Sequence, residues 1–399
     1  MIDAVMFSPL PPNKSGIADY TVELIPALAK VMNLTLVTAT EFSEADNYAA
    51  QFITAAEYAE TPALHGLPTF HQIGNNKDHV FVYEAFRRNP GILVQHDFNL
   101  HFLVEDATLG RGDQEGYIGV LESEYGAAGR KLAELRQFGV YADGQKMLLP
   151  LNTHLLHEAK GIIVHSQWVR NRLPRSISSP VTVLPHHYAP QADGYRNADR
   201  QAMRAKLGLD PDRPVVLSLG YITPPKQIQS TLRALKQVRD SGYDFTFVIG
   251  GARNPGLDID KHIADLDLGD RVVVTGFLEE DTFFEYIVAA DMLINLRYPS
   301  VGESSGTLAR ALALGLPAVI YDFGPFAETP DDCVIKVPLE LGQPTQLVAA
   351  IVSLLEDRDR HGHLSHAAMR YMTSQCSAEQ SAQAYLDCAM RAYDLVPNR

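Results

Sequence analysis

The chain has 399 residues, of which 46% are hydrophobic and 21% are charged. This is the composition of an ordinary globular protein, long enough for two domains with separate cores. Its formal net charge of −14 argues against nucleic-acid binding, which needs a basic surface. The three cysteines form no CxxC pair, so the sequence predicts neither a disulfide framework nor a zinc site.

No apolar run approaches the roughly 18 residues that a membrane-spanning helix needs. The first residues, M-I-D-A-V-M-F, read as a strand rather than as a basic leader followed by an apolar stretch. We therefore expect a cytoplasmic protein. Peripheral contact with the inner face of the membrane is the alternative.

Short apolar runs alternate with longer helical patterns, which predicts an α/β protein with two doubly wound parallel sheets. The predicted strands are Ala4–Ser8, Leu34–Thr38, Gly91–Gln95, Gly161–His165, Val181–Pro185, Val215–Leu219, Phe245–Ile249, Val272–Thr275, Met292–Leu296 and Ala318–Tyr321.

A polar stretch near residue 190 divides the chain into a first domain, 1–190, and a second domain, 191–374. The Ala-rich segment 375–399 is predicted to be a helix that packs back across one or both domains. Two such sheets are expected to face each other with the carboxyl ends of their strands across a cleft, where ligands bind.

The first candidate binding element is the loop P-P-N-K-S-G, which ends at Gly16 and opens a helical pattern. Gly16 lets a ligand approach the backbone, and the helix start offers N–H donors, although a simple helix cap is the alternative. The loop lacks the G-x-G-x-x-G pattern of a dinucleotide site, which counts against a dehydrogenase.

The run Q-H-D-F-N-L-H brings His96 and Asp97 to the end of a strand, with His101 one helical turn later. No further His/Asp pattern supports a metal site here. A neutral histidine at this place can donate to a sugar hydroxyl or shape a carbohydrate pocket. A hydrogen-bonded structural histidine is the alternative.

In the second half, Gly220 ends a strand and a Pro-Pro turn presents Lys226 at a helix start. We expect this ammonium to neutralise a diphosphate, although a lysine on a helix is usually a solvated charge. Arg253 and the pair Phe277-Leu278 follow the next strands and are predicted to line a nucleotide pocket. Arg253 is expected to reach a phosphate there, and a surface arginine is the alternative. The D-x-D at Asp258 is interpreted as a helix cap rather than a metal site, and His186-His187 as structural.

The segment Arg297 to Asp322 gives the strongest signal. Its loop carries one carboxylate, Glu303, and then the small residues Ser304, Ser305, Gly306 and Thr307 open a helix that contains Arg310. Small residues at a helix start leave N–H groups accessible to a phosphate. The carboxylate suits sugar hydroxyls, so the two together suggest a nucleotide-sugar site. A capped helix in a βαβ unit is the alternative.

Taken in order, these motifs resemble the family 4 retaining glycosyltransferases of the GT-B fold. The resemblance runs through P-P-x-x-S-G-I-A-D-Y, I-G-N-N, Q-H-D-F-N-L-H, G-Y-I-T-P-P-K, V-I-G-G and G-E-S-S-G, and covers nearly the whole chain. It implies two Rossmann-like domains, a nucleotide-diphosphate-sugar donor held mostly by the second domain, an acceptor held by the first, and retention of configuration without a metal or other cofactor.

The resemblance implies catalytic roles for Lys226, Glu303 and His96. It also implies donor contacts for Gly16, on the acceptor-side loop, and for Gly220, Arg253, Phe277, Leu278, Ser304, Ser305, Gly306, Thr307 and Arg310. Asp97 and His101 belong to the acceptor side. Two features depart from the family: Tyr221 stands where an arginine is usual, and Ala311 stands where the second glutamate of E-x7-E is expected, with Arg310 beside it.

The hypothesis is transfer of a UDP- or GDP-bound sugar to a glycan or lipid-linked acceptor, as in cell-surface polysaccharide synthesis. The leaving diphosphate accepts the acceptor proton on the same face. A glycosidase needs a second carboxylate about 5 Å from the first, and we find only Glu303. A nucleotide-sugar 2-epimerase and a non-catalytic sugar-nucleotide sensor remain as alternatives. Arg170, Arg172, Arg175 and Trp168 suit either an anionic membrane surface or a solvated helix face.

Overall fold

The computed structural model describes residues 1–339 and 344–395, which form two compact units. The first unit contains Met1–Pro185, the short segment Val301–Ser304 and the chain from Ala378 onward. The second contains His186–Ser300 and Ser305–Ser377. The chain therefore enters the first unit three times. Within the described part of the chain, no helix is both long enough and apolar enough to cross a bilayer.

The first unit is built on a parallel sheet of seven strands, in the order β3-β2-β1-β4-β5-β6-β7. Its strands are β1 Ile2–Phe7, β2 Met32–Thr38, β3 Gln51–Thr54, β4 Thr69–Ile73, β5 Ile92–Gln95, β6 Gly161–Val164 and β7 Val181–Val183. Its helices are α1 Gly16–Leu28, α2 Ala55–Ala59, α3 Val80–Arg88, α4 His101–Ala107, α5 Gln114–Gln137, α6 Asp143–Leu148, α7 Thr153–Glu158, α8 Gln167–Arg170 and, from the end of the chain, α16 Ala378–Ala392.

The second unit is built on a parallel sheet of six strands, in the order β10-β9-β8-β11-β12-β13. Its strands are β8 Val215–Leu219, β9 Thr246–Gly250, β10 Val272–Gly276, β11 Met292–Ile294, β12 Ala318–Tyr321 and β13 Val334–Val337. Its helices are α9 Arg200–Lys206, α10 Ile228–Asp240, α11 Ile259–Asp265, α12 Glu280–Ala289, α13 Gly306–Ala313, α14 Thr345–Glu356 and α15 Arg358–Gln375.

Each sheet is covered on both faces, which is why its strands are continuous apolar runs rather than alternating ones. The strand V-V-L-S-L of β8 is buried at every position. Helix α10 places Ile228, Leu232, Leu235 and Val238 on one buried face, at the spacing of an amphipathic helix. Separate apolar clusters fill the two faces of each sheet.

The α/β class with parallel sheets is confirmed, and each of the ten predicted strands overlaps an observed one. Three strands of the described ranges were missed: β3, β4 and β13. The segment β4, T-F-H-Q-I, carries three polar residues that are nevertheless buried, so its apolar signal is weak. The predicted C-terminal helix begins at Ala378, and positions 396–399 lie outside the described residues.

The order of strands reverses next to the first strand of each sheet, between β1 and β4 and between β8 and β11. Connections on either side of such a point leave in opposite directions and open a crevice at the carboxyl ends of the strands. The fold therefore predicts that ligands bind at the loops that follow these four strands.

Candidate functional site: the strand ends of the second unit

Three glycines mark the carboxyl ends of β8, β9 and β10. Gly220, Gly251 and Gly276 have φ of 90°, 139° and 75°, a region that other residues rarely adopt. The N–H of Gly220 donates to the carbonyl of Gly250, and the N–H of Gly251 donates to that of Gly276. A methyl group on Gly251 would lie 2.3 Å from the Gly220 carbonyl oxygen. The backbones of these loops therefore pack directly against one another. No side chain of the described residues separates their main-chain groups at the carboxyl ends of the strands.

Lys226 lies within this glycine edge. Its side chain is only 6% exposed, and its ammonium donates to the carbonyl of Leu219. A methyl group on Gly220 would lie 2.9 Å from Nζ of Lys226 and 3.2 Å from Oγ1 of Thr307. Burial, and then the positive charge of Arg297, hold the pKa of Lys226 well below its ordinary value. An anion bound here would reverse that shift.

Helix α13 begins beside Lys226 and supplies the N–H donors that the sequence predicted. The Oγ of Ser305 accepts from the N–H of Leu308 at 3.2 Å and caps the helix. Gly306 is its first residue, and a methyl group there would lie 2.7 Å from Nη1 of Arg310 and 3.5 Å from Nε2 of His186. The predicted donor residues Ser305, Gly306, Thr307 and Arg310 are therefore brought together with Lys226.

The two parts of this site follow the strands that flank the reversal point. The loop after β8 supplies Lys226, and the loop after β11 supplies the start of α13. This part of the site is electropositive, because it combines the N-terminus of α13, the buried ammonium of Lys226 and the guanidinium of Arg310. Glycines lie beside these groups. This arrangement can bind a phosphate or diphosphate closely and stabilise negative charge that develops on it.

The other predicted donor residues lie on neighbouring loops with different surroundings. Arg253 follows β9, and its guanidinium pairs with the carboxylate of Asp260 at 2.6 Å. Phe277 is 46% exposed, whereas Leu278 packs against the core of the second unit. The D-x-D interpretation is confirmed, since Asp258 caps α11 by accepting from the N–H of Lys261 at 3.0 Å.

In the first unit, the loops after β1, β4 and β5 meet. A methyl group on Gly74 would lie 2.2 Å from Cδ1 of Ile17, the residue after Gly16. The carboxylate of Asp97 accepts from the N–H of Asn75 at 2.7 Å. His96 is buried, and its Nε2 lies 2.6 Å from Oε1 of Gln72. The Nε2–H that could donate to a sugar hydroxyl thus lies against a protein oxygen.

His101 matches the description of a structural histidine. Its Nδ1 lies 2.9 Å from the carbonyl oxygen of Leu149, and its Nε2 lies 2.8 Å from Oη of Tyr117. Burial lowers its pKa, so the ring is held neutral between these partners. Both ring nitrogens are therefore engaged inside the first unit.

Gly16 is the first residue of α1, capped by Ser15, whose Oγ accepts from the N–H of Ile17 at 3.3 Å. No atom of the described chain lies within 4 Å of a methyl group placed on Gly16. Glu303, predicted to be catalytic, and Ser304, a predicted donor contact, group with the first unit rather than with the other donor residues. One carboxylate oxygen of Glu303 accepts from the N–H of Val301 at 2.8 Å.

Sequence reasoning missed Arg297, Gly251 and the position of His186. Arg297 opens the segment singled out above, but its charge acts on Lys226 through a fold that brings β11 beside β8. Gly251 was one of two glycines in V-I-G-G, and nothing local tells which has positive φ. His186 was interpreted only as structural, and the L-P before it gave no hint that it approaches Gly306.

No group of three or more potential metal-ligating side chains is found in residues 1–339 and 344–395. A cavity of about 640 Å³ lies at the start of α15, lined by Asp332, Asp357 and Arg370 among others. None of the predicted site residues lines it, so the arrangement of glycines and cations at the strand ends, rather than cavity size, identifies the candidate site.

Solved structures with this architecture cover almost the whole chain. Sucrose-phosphate synthase from Thermosynechococcus elongatus covers 97% of this chain and 99% of its own, with a TM-score of 0.64 and 18% identity. HepE from Anabaena, solved in complex with UDP and glucose, covers 97% of this chain and 100% of its own, with a TM-score of 0.64 and 13% identity. A putative UDP-N-acetylglucosamine 2-epimerase from Listeria monocytogenes has a TM-score of 0.59 at 12% identity. The fold is therefore GT-B, as the sequence predicted.

Sequence comparison finds similarity to one family over part of the chain. Residues 199–371 match the family model of glycosyl transferases group 1, and most of these residues belong to the second unit. The 2-deoxystreptamine glucosyltransferase of Streptomyces kanamyceticus is 27% identical over 179 residues, 44% of this chain and 46% of that protein. The D-inositol 3-phosphate glycosyltransferase of Nocardia farcinica is 30% identical over 174 residues, 42% of this chain and 38% of that protein. The chain spans about half the length of the curated relatives it matches.

Proposed function

We propose that this protein is a retaining glycosyltransferase that uses a nucleotide-diphosphate-sugar donor. The observation that carries the proposal is the convergence of Lys226 and Thr307 on Gly220, at the start of α13. Both loops follow strands that flank the reversal point of the second sheet. The match of this unit to group 1 glycosyltransferases supports the same assignment.

In the proposed reaction, the β-phosphate of the donor lies against the N–H groups of Gly306 and Thr307. Lys226 and Arg310 offset the charge that grows on the diphosphate as the bond from the anomeric carbon to the phosphate oxygen breaks. The acceptor hydroxyl attacks from the same face and passes its proton to the departing phosphate oxygen. No metal ion is needed for this step, because protein cations supply the charge.

The donor is proposed to be a UDP- or GDP-sugar. Solved HepE complexes contain UDP and UDP-glucose, which makes UDP the first nucleotide to test. The acceptor is proposed to be a glycan or a lipid-linked glycan. Among the similar proteins, one is named for a diacylglycerol lipid and others for inositol 3-phosphate, so lipid and free polyol acceptors belong in the same panel.

The test has two stages. A thermal-shift screen of UDP, GDP, dTDP and their sugars identifies the nucleotide, because ligand binding raises apparent stability. The best donor is then incubated with and without a panel of acceptors, and free nucleotide and donor sugar are measured. Nucleotide release that depends on acceptor is the expected result, with the α or β configuration of the product checked by NMR.

Two other outcomes would contradict the proposal. Epimerised donor sugar in the absence of acceptor would favour the nucleotide-sugar 2-epimerase. Tight donor binding without turnover on any acceptor would favour the non-catalytic sensor.

A further inference from the structure

A chain of buried polar side chains runs through the first unit from the C-terminal helix to His96. Gln72 on β4 is its centre and is fully buried. Its Nε2 donates to Oη of Tyr385 on α16 at 3.1 Å, and its Oε1 lies 2.6 Å from Nε2 of His96. Tyr385 is also fully buried, and its Oη lies 3.2 Å from Oη of Tyr20 on α1. Gln72 is thus hydrogen-bonded to a residue 313 positions away in sequence.

The hydrogen-bond chemistry of this chain defines the state of His96. The second amide hydrogen of Gln72 points to Sδ of Met6 at 3.5 Å, so the amide nitrogen has two acceptors and the oxygen faces the histidine. A carbonyl oxygen can only accept, so the proton of the neutral imidazole is on Nε2 and its lone pair is on Nδ1. Gln72 therefore selects one tautomer of His96.

The rings around His96 restrict its orientation as well. The Tyr20 ring meets it edge-on with centroids 4.7 Å apart, and the His165 ring lies 4.6 Å away. His165 itself is tied to the carbonyl of Leu184 through Nδ1. Burial raises the pKa of both Tyr20 and Tyr385, so both phenols are neutral. The rings of Tyr20 and His165 and the amide of Gln72 thus restrict how the imidazole can turn.

Helix α16 holds the far end of this chain rigidly. Ala382, Cys388 and Ala389 are fully buried beside Tyr385, in the apolar cluster that also contains α1 and strands of the first sheet. Tyr385 therefore has little freedom to leave Gln72. A hydrogen-bonded network whose members are all packed in this way can fix one geometry of the group at its end.

We propose that Gln72 and Tyr385 are positioning residues that fix the Nε2–H tautomer and the orientation of His96 for acceptor binding. Helix α16 is then part of the acceptor half of the site through hydrogen bonds rather than by contact with substrate. The expected effect on acceptor kinetics rests on the proposed glycosyltransferase function. The expected tautomer of His96 does not depend on that function.

The experiment uses the full-length protein labelled with ¹³C and ¹⁵N histidine. NMR reports the tautomer of His96, and the His96→Gln variant assigns its signals. We expect the wild type to hold the Nε2–H form and Gln72→Met to become a mixture of both tautomers. We expect acceptor kcat/KM to fall about tenfold in Gln72→Met and about threefold in Tyr385→Phe, with donor KM unchanged. Gln72→Glu places a carboxylate against Nε2 of His96 and should shift the ring toward the imidazolium, protonated on both nitrogens.

Tyr393→Phe is the matched control. Its hydroxyl accepts from the N–H of Thr69 at 3.1 Å, at the other end of β4, and the control should leave both the His96 signals and the kinetics unchanged. An unchanged His96 tautomer in Gln72→Met overturns the proposal. So does an equal effect of Tyr385→Phe and Tyr393→Phe, because general loosening of the C-terminal segment would then explain both.

If Gln72→Met does not fold, Tyr385→Phe and Gln72→Glu decide the question in the same spectra. If the wild type transfers no sugar to any acceptor, the proposed function fails, and the spectra of the variants still decide whether Gln72 controls His96. The two failures are therefore distinguishable.

Discussion

The two sheets share one architecture but end in different chemistry. At the strand ends of the second unit, Gly220, which has positive φ, lies against Lys226 and the start of α13, where Gly306 lies against Arg310. In the first unit, the described loops that directly follow β1, β4 and β5 include no glycine of positive φ, and the side chains of His96, Gln72 and Tyr20 are packed together. One edge is suited to an anion that approaches the backbone, and the other to uncharged hydroxyl groups.

Substitution of Lys226 is the strongest test of this difference between the two units. Replacing it with methionine keeps the aliphatic chain and removes the charge, so turnover should fall about 10²- to 10³-fold. Stability should be unchanged or higher, because a buried cation is no longer desolvated. Steady-state kinetics and thermal melting measure the two effects.

Lys236→Met is the control for this change. Lys236 is a partly exposed lysine of α10 that pairs with Asp240, and its loss should leave turnover intact. Near-normal transfer by Lys226→Met would contradict the anion-binding role of the second unit.

The glycine edge can be tested by its packing. In Gly251→Ala the added methyl group would lie 2.3 Å from the Gly220 carbonyl oxygen at a φ of 139°. We expect a loss of about 2–4 kcal/mol in the free energy of unfolding, measured by chemical denaturation. Gly269→Ala, where a methyl group meets nothing within 4 Å, should change stability little. Equal stability of the two variants would show that the edge is not tightly packed.

A substitution at Gly16 tests the strand ends of the first unit, because that unit has room for a side chain at this position. Gly16→Ala should keep or slightly raise stability, since its methyl group meets no atom of the described chain. We expect donor KM to rise about tenfold, because the methyl group would crowd a ligand at the start of α1. Gly66→Ala, which is equally unhindered, is the control. Unchanged kinetics in both variants would remove Gly16 from the site.

The smallest effect expected is a proton linkage. Burial and Arg297 hold the pKa of Lys226 below its ordinary value in the free protein, and a bound diphosphate raises it. Binding of the nucleotide therefore takes up a proton. Nucleotide affinity should fall as the pH rises through the pKa of Lys226. Calorimetry in buffers of different ionisation enthalpy measures the uptake, which should be lost in Lys226→Met. Identical uptake by the variant would assign the proton to another group.

The sequence predicted the second unit's site better than that of the first, and the reason is physical. Lys226, Gly306 and Arg310 lie in short local patterns of strand, turn and helix, and local patterns are what a single sequence displays. Gln72 lies in β4, which was not predicted as a strand because its polar residues weaken the apolar pattern. Its partner Tyr385 is 313 residues away in sequence. A pairing over that distance has no local signature.

The same limit applies to single residues inside recognised motifs. His101 stood in the motif with His96, yet its ring is held by Leu149 and Tyr117. The contacts depend on how α4 packs against α5 and against the end of α6, which no spacing within Q-H-D-F-N-L-H reveals. Asp258 was interpreted correctly because helix capping is decided within four residues.

The position of α16 has a consequence for how the protein is made. Although domains generally fold in the order of their synthesis, the core of the first unit includes Ala382, Tyr385 and Cys388 from the end of the chain. On the ribosome, the first 185 residues must therefore wait for the second unit to be translated before that core can close. A chain stopped before Ala378 would contain every strand of both sheets described here and would still lack the helix that packs beside α1 on one face of the first sheet.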